Sequence, residues 1–211
     1  MTPDSTTRDN VFAALLSASC GIADAVGYVG SGIFAANMTG NTVLVALAVA
    51  GRDWLLAGER ALTLATFFVG AVLGRGLVVA NVRQWVPLLT EAVLIGIAAL
   101  PFMGAMLSIW TIALAMGIQA TAFTRFRGVA ISTIVITTTI AHLAETAHDR
   151  MLGRPAQPAL QPRAPGGLLA LVWISYGAGA VLAGILLQAV RFPLVVPAVL
   201  LLALTALSLR R

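Results

Sequence analysis

This chain of 211 residues contains no lysine and a single cysteine, and only 10% of it is charged. A soluble domain of this size would carry about a quarter charged residues. With 59% hydrophobic residues and a mean hydropathy of +0.96, it cannot cover its own surface with polar groups, so lipid must be the solvent for most of it. A lone Cys20 excludes an intrachain disulfide and a cysteine-based metal cluster. The 13 basic residues are all arginine and, with 8 acids, leave a net charge of +5. They are scattered singly between apolar runs where a DNA- or RNA-binding face would cluster them, so no nucleic-acid partner is expected. There is no Ser–His–Asp spacing, phosphate loop or dinucleotide fingerprint, so neither an enzyme with catalytic residues nor a cofactor is expected. The start, "MTPDSTTRDNVFAALLSASC", makes a poor signal peptide, because its apolar stretch runs on into further membrane segment.

What the chain has instead is a series of apolar runs, at 11–29, 33–50, 61–80, 87–105, 107–124, 128–146, 167–190 and 193–209. A helix needs roughly 20 such residues to cross the hydrocarbon core. The runs predict an all-α fold, a polytopic transmembrane helix bundle of about eight spans, the shorter runs leaving six or seven compatible. With the N-terminus in the cytoplasm, eight arginines fall inside (Arg8, Arg52, Arg60, Arg150, Arg154, Arg163, Arg210, Arg211). Five fall outside (Arg75, Arg83, Arg125, Arg127, Arg191). The excess predicts that both termini are cytoplasmic. The polar stretch 149–165, rich in proline, reads as a flexible linker loop.

The runs also repeat. "GAVLGRGL" at 70–77 recurs as "GAVLAGIL" at 179–186, and "PLLTEAVLIGIAAL" at 87–100 as "PLVVPAVLLLALTAL" at 193–207. "GIADA" at 21–25 pairs with "GIQAT" at 117–121, and "TGNTVLVALA" at 39–48 with "TTTIAHLAET" at 137–146. The offsets are 109, 106, 96 and 98, and the jump falls where the linker is inserted. Two membrane repeats follow, 11–105 and 106–211, the linker lying inside the second. Four spans per half give both halves one orientation, with "TGN" and "TTT" expected to meet near the pseudo-axis. Gly70/Gly74 and Ala180/Gly184 read as helix-packing faces.

One interruption stands out, "GIFAANMTGNTV" at 32–43. Asn37, Thr39 and Asn41 bring donors and acceptors where lipid wants none, and Gly40 exposes backbone. Broken helices occur at membrane depth where irregular backbone lines a cavity. Asp24 precedes them, about 13 residues into the first span and roughly 20 Å deep. A carboxyl there must face protein or water, and could carry a proton. In the second half Gln119 falls near the position matching Asp24, while Thr137, Thr138 and Thr139 match Thr39, Gly40 and Asn41. The competing reading is a close-packed contact in which these groups only bond helices together. Arg125 and Arg127 either draw in an anion or anchor the interface. His142, Glu145 and Asp149 share a helical face but read as water-facing, so no metal site is expected. Glu91, four residues after Pro87, reads as lying at headgroup level.

"GIADAVGYVGSGIFAANMTGNTV" resembles the signature of the YoaK-like family of bacterial multi-pass membrane proteins. The likeness rests on an early Asp followed by Gly and Tyr, on an Ala-Asn-Met-Thr-Gly-Asn block, and on a weaker second copy. Asp24, Tyr28, Asn37, Met38, Thr39, Gly40 and Asn41 occupy those positions. Relatives carry Thr-Gly-Thr in the second copy, where this chain has Thr137-Thr138-Thr139. The resemblance covers about 11–209 and implies a multi-pass protein of the bacterial inner membrane.

Two readings of function follow. In the first the protein is a small secondary transporter or permease for a small polar solute. Asp24 is then the proton- or cation-coupling group, and Asn37, Thr39 and Asn41 orient the solute, with Tyr28, Gly40, Gln119, Thr137 and Thr138 completing the site. In the second it is a non-transporting module, such as a structural partner, chaperone or sensor, whose polar belt only packs helices. The expected partners are the lipid bilayer and the solute. At 21.8 kDa the chain is small for a monomeric transporter, which makes a homodimer compatible.

Overall fold

The computed structural model describes residues 3–126, 129–130, 136–151 and 165–209. The apolar runs become eight helices within them: α1 (Pro3–Ser31), α2 (Met38–Ala50), α3 (Trp54–Val79), α4 (Trp85–Ala98), α5 (Ala105–Ala122), α6 (Ile136–Met151), α7 (Gly166–Ala189) and α8 (Val195–Leu209). The fold is a polytopic all-α bundle. Its extended structure, among the described residues, is one antiparallel pairing of β1 (Arg125–Phe126) with β2 (Val129–Ala130).

Helix number agrees with the sequence reading; helix length does not. Four helices, α1, α3, α5 and α7, are long and apolar enough to cross a bilayer. The apolar α2, α4 and α8 have only 13, 14 and 15 residues, about 20–22 Å at 1.5 Å per residue. The sixth element departs furthest. Its described helix begins at Ile136 rather than 128, and extends to Met151, into the stretch expected to be a loop. Residues 131–135 and 152–164 lie outside the described residues.

Small residues set how closely the long helices approach. On the α3–α5 interface a Cβ at Gly70 would overlap the Leu114 carbonyl, one at Gly74 would strike the Ile118 carbonyl, and one at Gly117 would overlap the Phe67 carbonyl. On the α1–α7 interface Gly21 sits on the Tyr176 carbonyl and Gly179 on the Ala18 carbonyl. The packing face expected at Gly184 is therefore corrected to Gly179. The two positions lie about 140° apart around the helix, and Gly184 is exposed with open space beyond it. The remaining packed pairs are α4 with α5 and α8, α8 with α1, α2 with α3, α6 with α7, and α1 with α5.

Hydrogen bonds fix the direction of travel. Trp110 Nε1 donates to the Glu59 carbonyl at 3.2 Å and Thr121 Oγ1 to the Ala71 carbonyl at 2.8 Å. Residue numbers rise together along α3 and α5, so these helices run parallel and the chain between them, with α4, must return across the bundle. At one end of the α1–α8 pair Thr7 and Arg8 share a cleft with Leu207 and Ser208, and at the other Val26 lies by Leu194. Those helices are therefore antiparallel, and the start of α1 and the end of α8 lie on the same face.

Candidate functional site

The polar interruption is explained by what the backbone needs. α1 ends at Ser31, and Gly32 adopts the left-handed conformation (φ +69°) that turns the chain back. Residues 33–37 then descend without helical hydrogen bonds, and the helix resumes at Met38. In lipid every such backbone group must find a partner inside the protein. Side chains supply them. Asn41 is fully buried and clamps one peptide: its Oδ1 accepts from the Phe34 N–H at 2.9 Å, and its Nδ2 donates to the Phe34 carbonyl at 2.8 Å. Asp24 Oδ1 accepts from the Ala36 N–H at 2.6 Å and from the Asn37 N–H at 3.3 Å. Its Oδ2 accepts from the Tyr176 hydroxyl on α7 at 2.6 Å.

This geometry sets depth. Asp24 lies seven residues below the end of α1, about 10 Å, and α2 adds about 20 Å. The sum, about 30 Å, is the thickness of the hydrocarbon core. The second crossing is thus an extended descent to the level of Asp24 followed by a half-length helix.

The structure brings Asp24, Asn37 and Asn41 together around the break. The Asn37 side chain caps α2 by accepting from the Gly40 N–H at 3.0 Å. A Cβ at Gly40 would press on that side chain and on Phe34, which is why glycine stands there. The Tyr28 ring stacks on Phe34, centroids 4.5 Å apart. Thr39 is exposed in the first turn of α2. Gln119 is buried on α5 and directs Nε2 at the Leu16 carbonyl of α1 at 3.5 Å, away from the break. Thr137 and Thr138 are exposed on α6, and Thr139 is buried. The expected meeting of "TGN" with "TTT" is not found among the described residues, because α2 packs on α3 while α6 packs on α7. His142 and Glu145 form an exposed pair on α6, 3.2 Å apart. The side chains of Arg125, Arg127 and Asp149 lie outside the described residues.

Two polar residues escaped the sequence reading. Tyr176 ties α7 to Asp24, and a tyrosine in an apolar span is itself a signal, since its hydroxyl needs a partner. Glu91 is the clearer correction. Rather than lying at headgroup level it is fully buried, midway along α4, and both carboxyl oxygens are without a hydrogen-bond partner. Pro87 suggested a helix start at the interface, but the helix begins at Trp85 and its Leu88–Ala92–Ile95 face, with Glu91 beside it, turns into the bundle.

The comparisons with known proteins agree with this architecture. A family model described as a protein of unknown function (DUF1275) matches residues 12–207. The UPF0700 transmembrane protein YoaK of Bacillus subtilis (strain 168) is 32% identical over 155 residues, which is 67% of this chain and 68% of that relative. No solved structure matches the chain.

Proposed function

Since this chain belongs to the DUF1275 family and is similar to a transmembrane protein, YoaK, we propose that it is a small secondary transporter or permease. It would carry a small polar solute across the bacterial inner membrane. The observation that carries this reading is the discontinuous second crossing. An unwound segment and a half-length helix meet at membrane depth, with the exposed Asn37 and Thr39 at the junction. Transporters build solute sites from such broken crossings, because unwound backbone and helix ends offer polar groups that an intact helix keeps for itself.

We read the two halves as repeats of like orientation. Exchanging α1 with α5, α2 with α6, α3 with α7 and α4 with α8 turns every packed helix pair into another packed pair, which supports this. The contact register supports it too. Gly21 and Gly117 are 96 residues apart, and the Tyr176 and Phe67 carbonyls they meet are 109 apart. Ala18 and Leu114, which face Gly179 and Gly70, reproduce the same two offsets.

Both termini are expected in the cytoplasm, since they share a face and the arginine excess lies on that side. Cytoplasmic and periplasmic reporters fused after Arg211 and before Pro3 test this; periplasmic activity at either end would reverse the orientation.

To test transport, metabolite levels are compared in cells lacking and overproducing the protein, and the solute that responds is used for uptake. Thr39→Val removes a hydroxyl that the fold does not use. It should leave thermal stability within about 0.5 kcal/mol of the parent while cutting uptake about fivefold, the equivalent of one hydrogen bond of about 1 kcal/mol. Asn41→Leu should lower yield, because it strips both partners from the Phe34 peptide.

One observation favours the second reading, a module whose polar belt only packs helices: the buried Asp24 carboxyl accepts from the Ala36 and Asn37 amides and the Tyr176 hydroxyl, so it joins the break to α7. If no solute responds, and Thr39→Val leaves every phenotype unchanged, that reading replaces transport.

A further inference from the structure

Asp24 and Glu91 are both carboxyls buried in the bundle, yet they are held in opposite ways. Three donors converge on Asp24, from the Ala36 and Asn37 amides and the Tyr176 hydroxyl. Both oxygens of Glu91 are without partners. An ionised carboxylate with neither water nor donors around it is prohibitively costly, so Glu91 cannot stand bare and charged in this arrangement. Packing offers no reason for an acid there either, because its neighbours along the same face are Leu88, Ala92 and Ile95. The helices packed on α4 are α5 and α8, and neither carries an acidic, basic, Cys or Tyr residue. Among titratable groups on other helices, the Cys20 thiol of α1 interacts electrostatically with both Glu91 and Asp24. Ser17, Cys20 and Asp24 fall at i, i+3 and i+7, on one stripe of α1. The Ser17 hydroxyl, fully buried, is also without a partner.

We propose that Glu91 is a proton-binding site, carrying its proton in the arrangement seen here and releasing it when the bundle rearranges to admit water, while Asp24 positions the broken crossing. The inference deepens the transporter reading and rests on it for its purpose: proton coupling passes from Asp24 to Glu91. Release is a simple ionisation, the O–H bond of the carboxyl breaking to leave the carboxylate and a proton taken up by water. Such release requires Glu91 to become hydrated, which a rearrangement of α4 against α5 and α8, the helices packed on it, would permit.

The test uses dicyclohexylcarbodiimide on the full chain in membranes and in detergent. The reagent is apolar and attacks protonated carboxyls in apolar surroundings. The carboxyl adds across a C=N bond of the carbodiimide to give an O-acylisourea, which rearranges to a stable N-acylurea read by peptide mass spectrometry. Glu91 should label in acidic buffer, and once pH passes its titration the labelling should fall about tenfold per pH unit, the slope of a single ionisation. Asp24, occupied by its donors, should label far less. Glu91→Gln should abolish labelling of that peptide while retaining the thermal stability of the parent, because the amide is neutral and similar in shape. A wild-type chain that melts cooperatively but leaves Glu91 unlabelled would overturn the proposal. So would labelling that does not change with pH, which would make Glu91 a permanently protonated packing residue. Neither readout needs a solute, so a pH-dependent label in a protein that transports nothing would support the proton site and sink the transport reading.

Discussion

Asp24→Ala is expected to cost the bundle most of its stability. The substitution leaves the Ala36 N–H, the Asn37 N–H and the Tyr176 hydroxyl without the acceptor that the buried Asp24 carboxyl supplies. A buried donor left unpaired costs about 1–3 kcal/mol, and the Asn37 bond is the longest and weakest of the three, so the loss is about 3–6 kcal/mol. Folded proteins hold only about 5–15 kcal/mol, so little folded protein should survive extraction. Asp24→Asn should behave differently. The amide oxygen can keep the two backbone donors, and its NH₂ can donate to Tyr176, whose hydroxyl turns to accept. Its cost should be about 1 kcal/mol or less, and Tyr176→Phe, which removes one donor and leaves one oxygen unpaired, should fall between the two. Thermal melts of the three variants in detergent, beside membrane yield, decide the matter. An Asp24→Ala protein that melts with the parent would show that the break does not depend on the carboxyl. If Asp24→Asn fails as badly as Asp24→Ala, the negative charge is required, not just the acceptor.

That ordering explains which parts of the molecule were legible in the sequence. Helix number was legible because each apolar run is bounded by polar or turn-forming residues, as at Arg52–Asp53 and Asn81–Gln84. The polar character of "ANMTGN" was also legible, because lipid tolerates no idle asparagine. Its role was not. The residues that satisfy the 33–37 backbone sit at 24 and 41, on either side of the break, and no local period links an acceptor to amides 12 and 13 positions away. Glu91 was misread for a different reason. Proximity to Pro87 says where a helix can begin, but not which of its faces turns inward, and the burial of Glu91 comes from α4 packing against α5 and α8. Gly179 was passed over because Ala180 and Gly184 also have the four-residue spacing of a packing face, although the string match aligns Gly179 with Gly70.

The glycine contacts yield the other large effect, and they test ancestry along with packing. If the halves are repeats, Gly21 and Gly117 occupy one structural position twice, as do Gly179 and Gly70. Each would place a new Cβ on a backbone carbonyl of the facing helix, and backbone cannot swing aside as a side chain can. Alanine at any of the four should therefore cost about 1–3 kcal/mol as the helices are forced apart, and leucine should leave no recoverable protein. The two members of each pair should lose similar amounts, since they face equivalent carbonyls on equivalent helices. Alanine at Gly76, Gly177 or Gly184, where nothing lies within 4 Å of the added carbon, should do no harm. It should even add about 0.5–1 kcal/mol by removing the flexibility of a glycine inside a helix. Melting temperatures for the seven alanine variants give the answer directly. Harm at Gly21 and Gly179 without harm at Gly117 and Gly70 would leave α1–α7 as a tight pair but remove the packing support for a repeat. If instead Gly184→Ala proves as damaging as Gly179→Ala, the face of α7 that meets α1 has been wrongly assigned, and with it the Tyr176–Asp24 contact on which the first prediction depends.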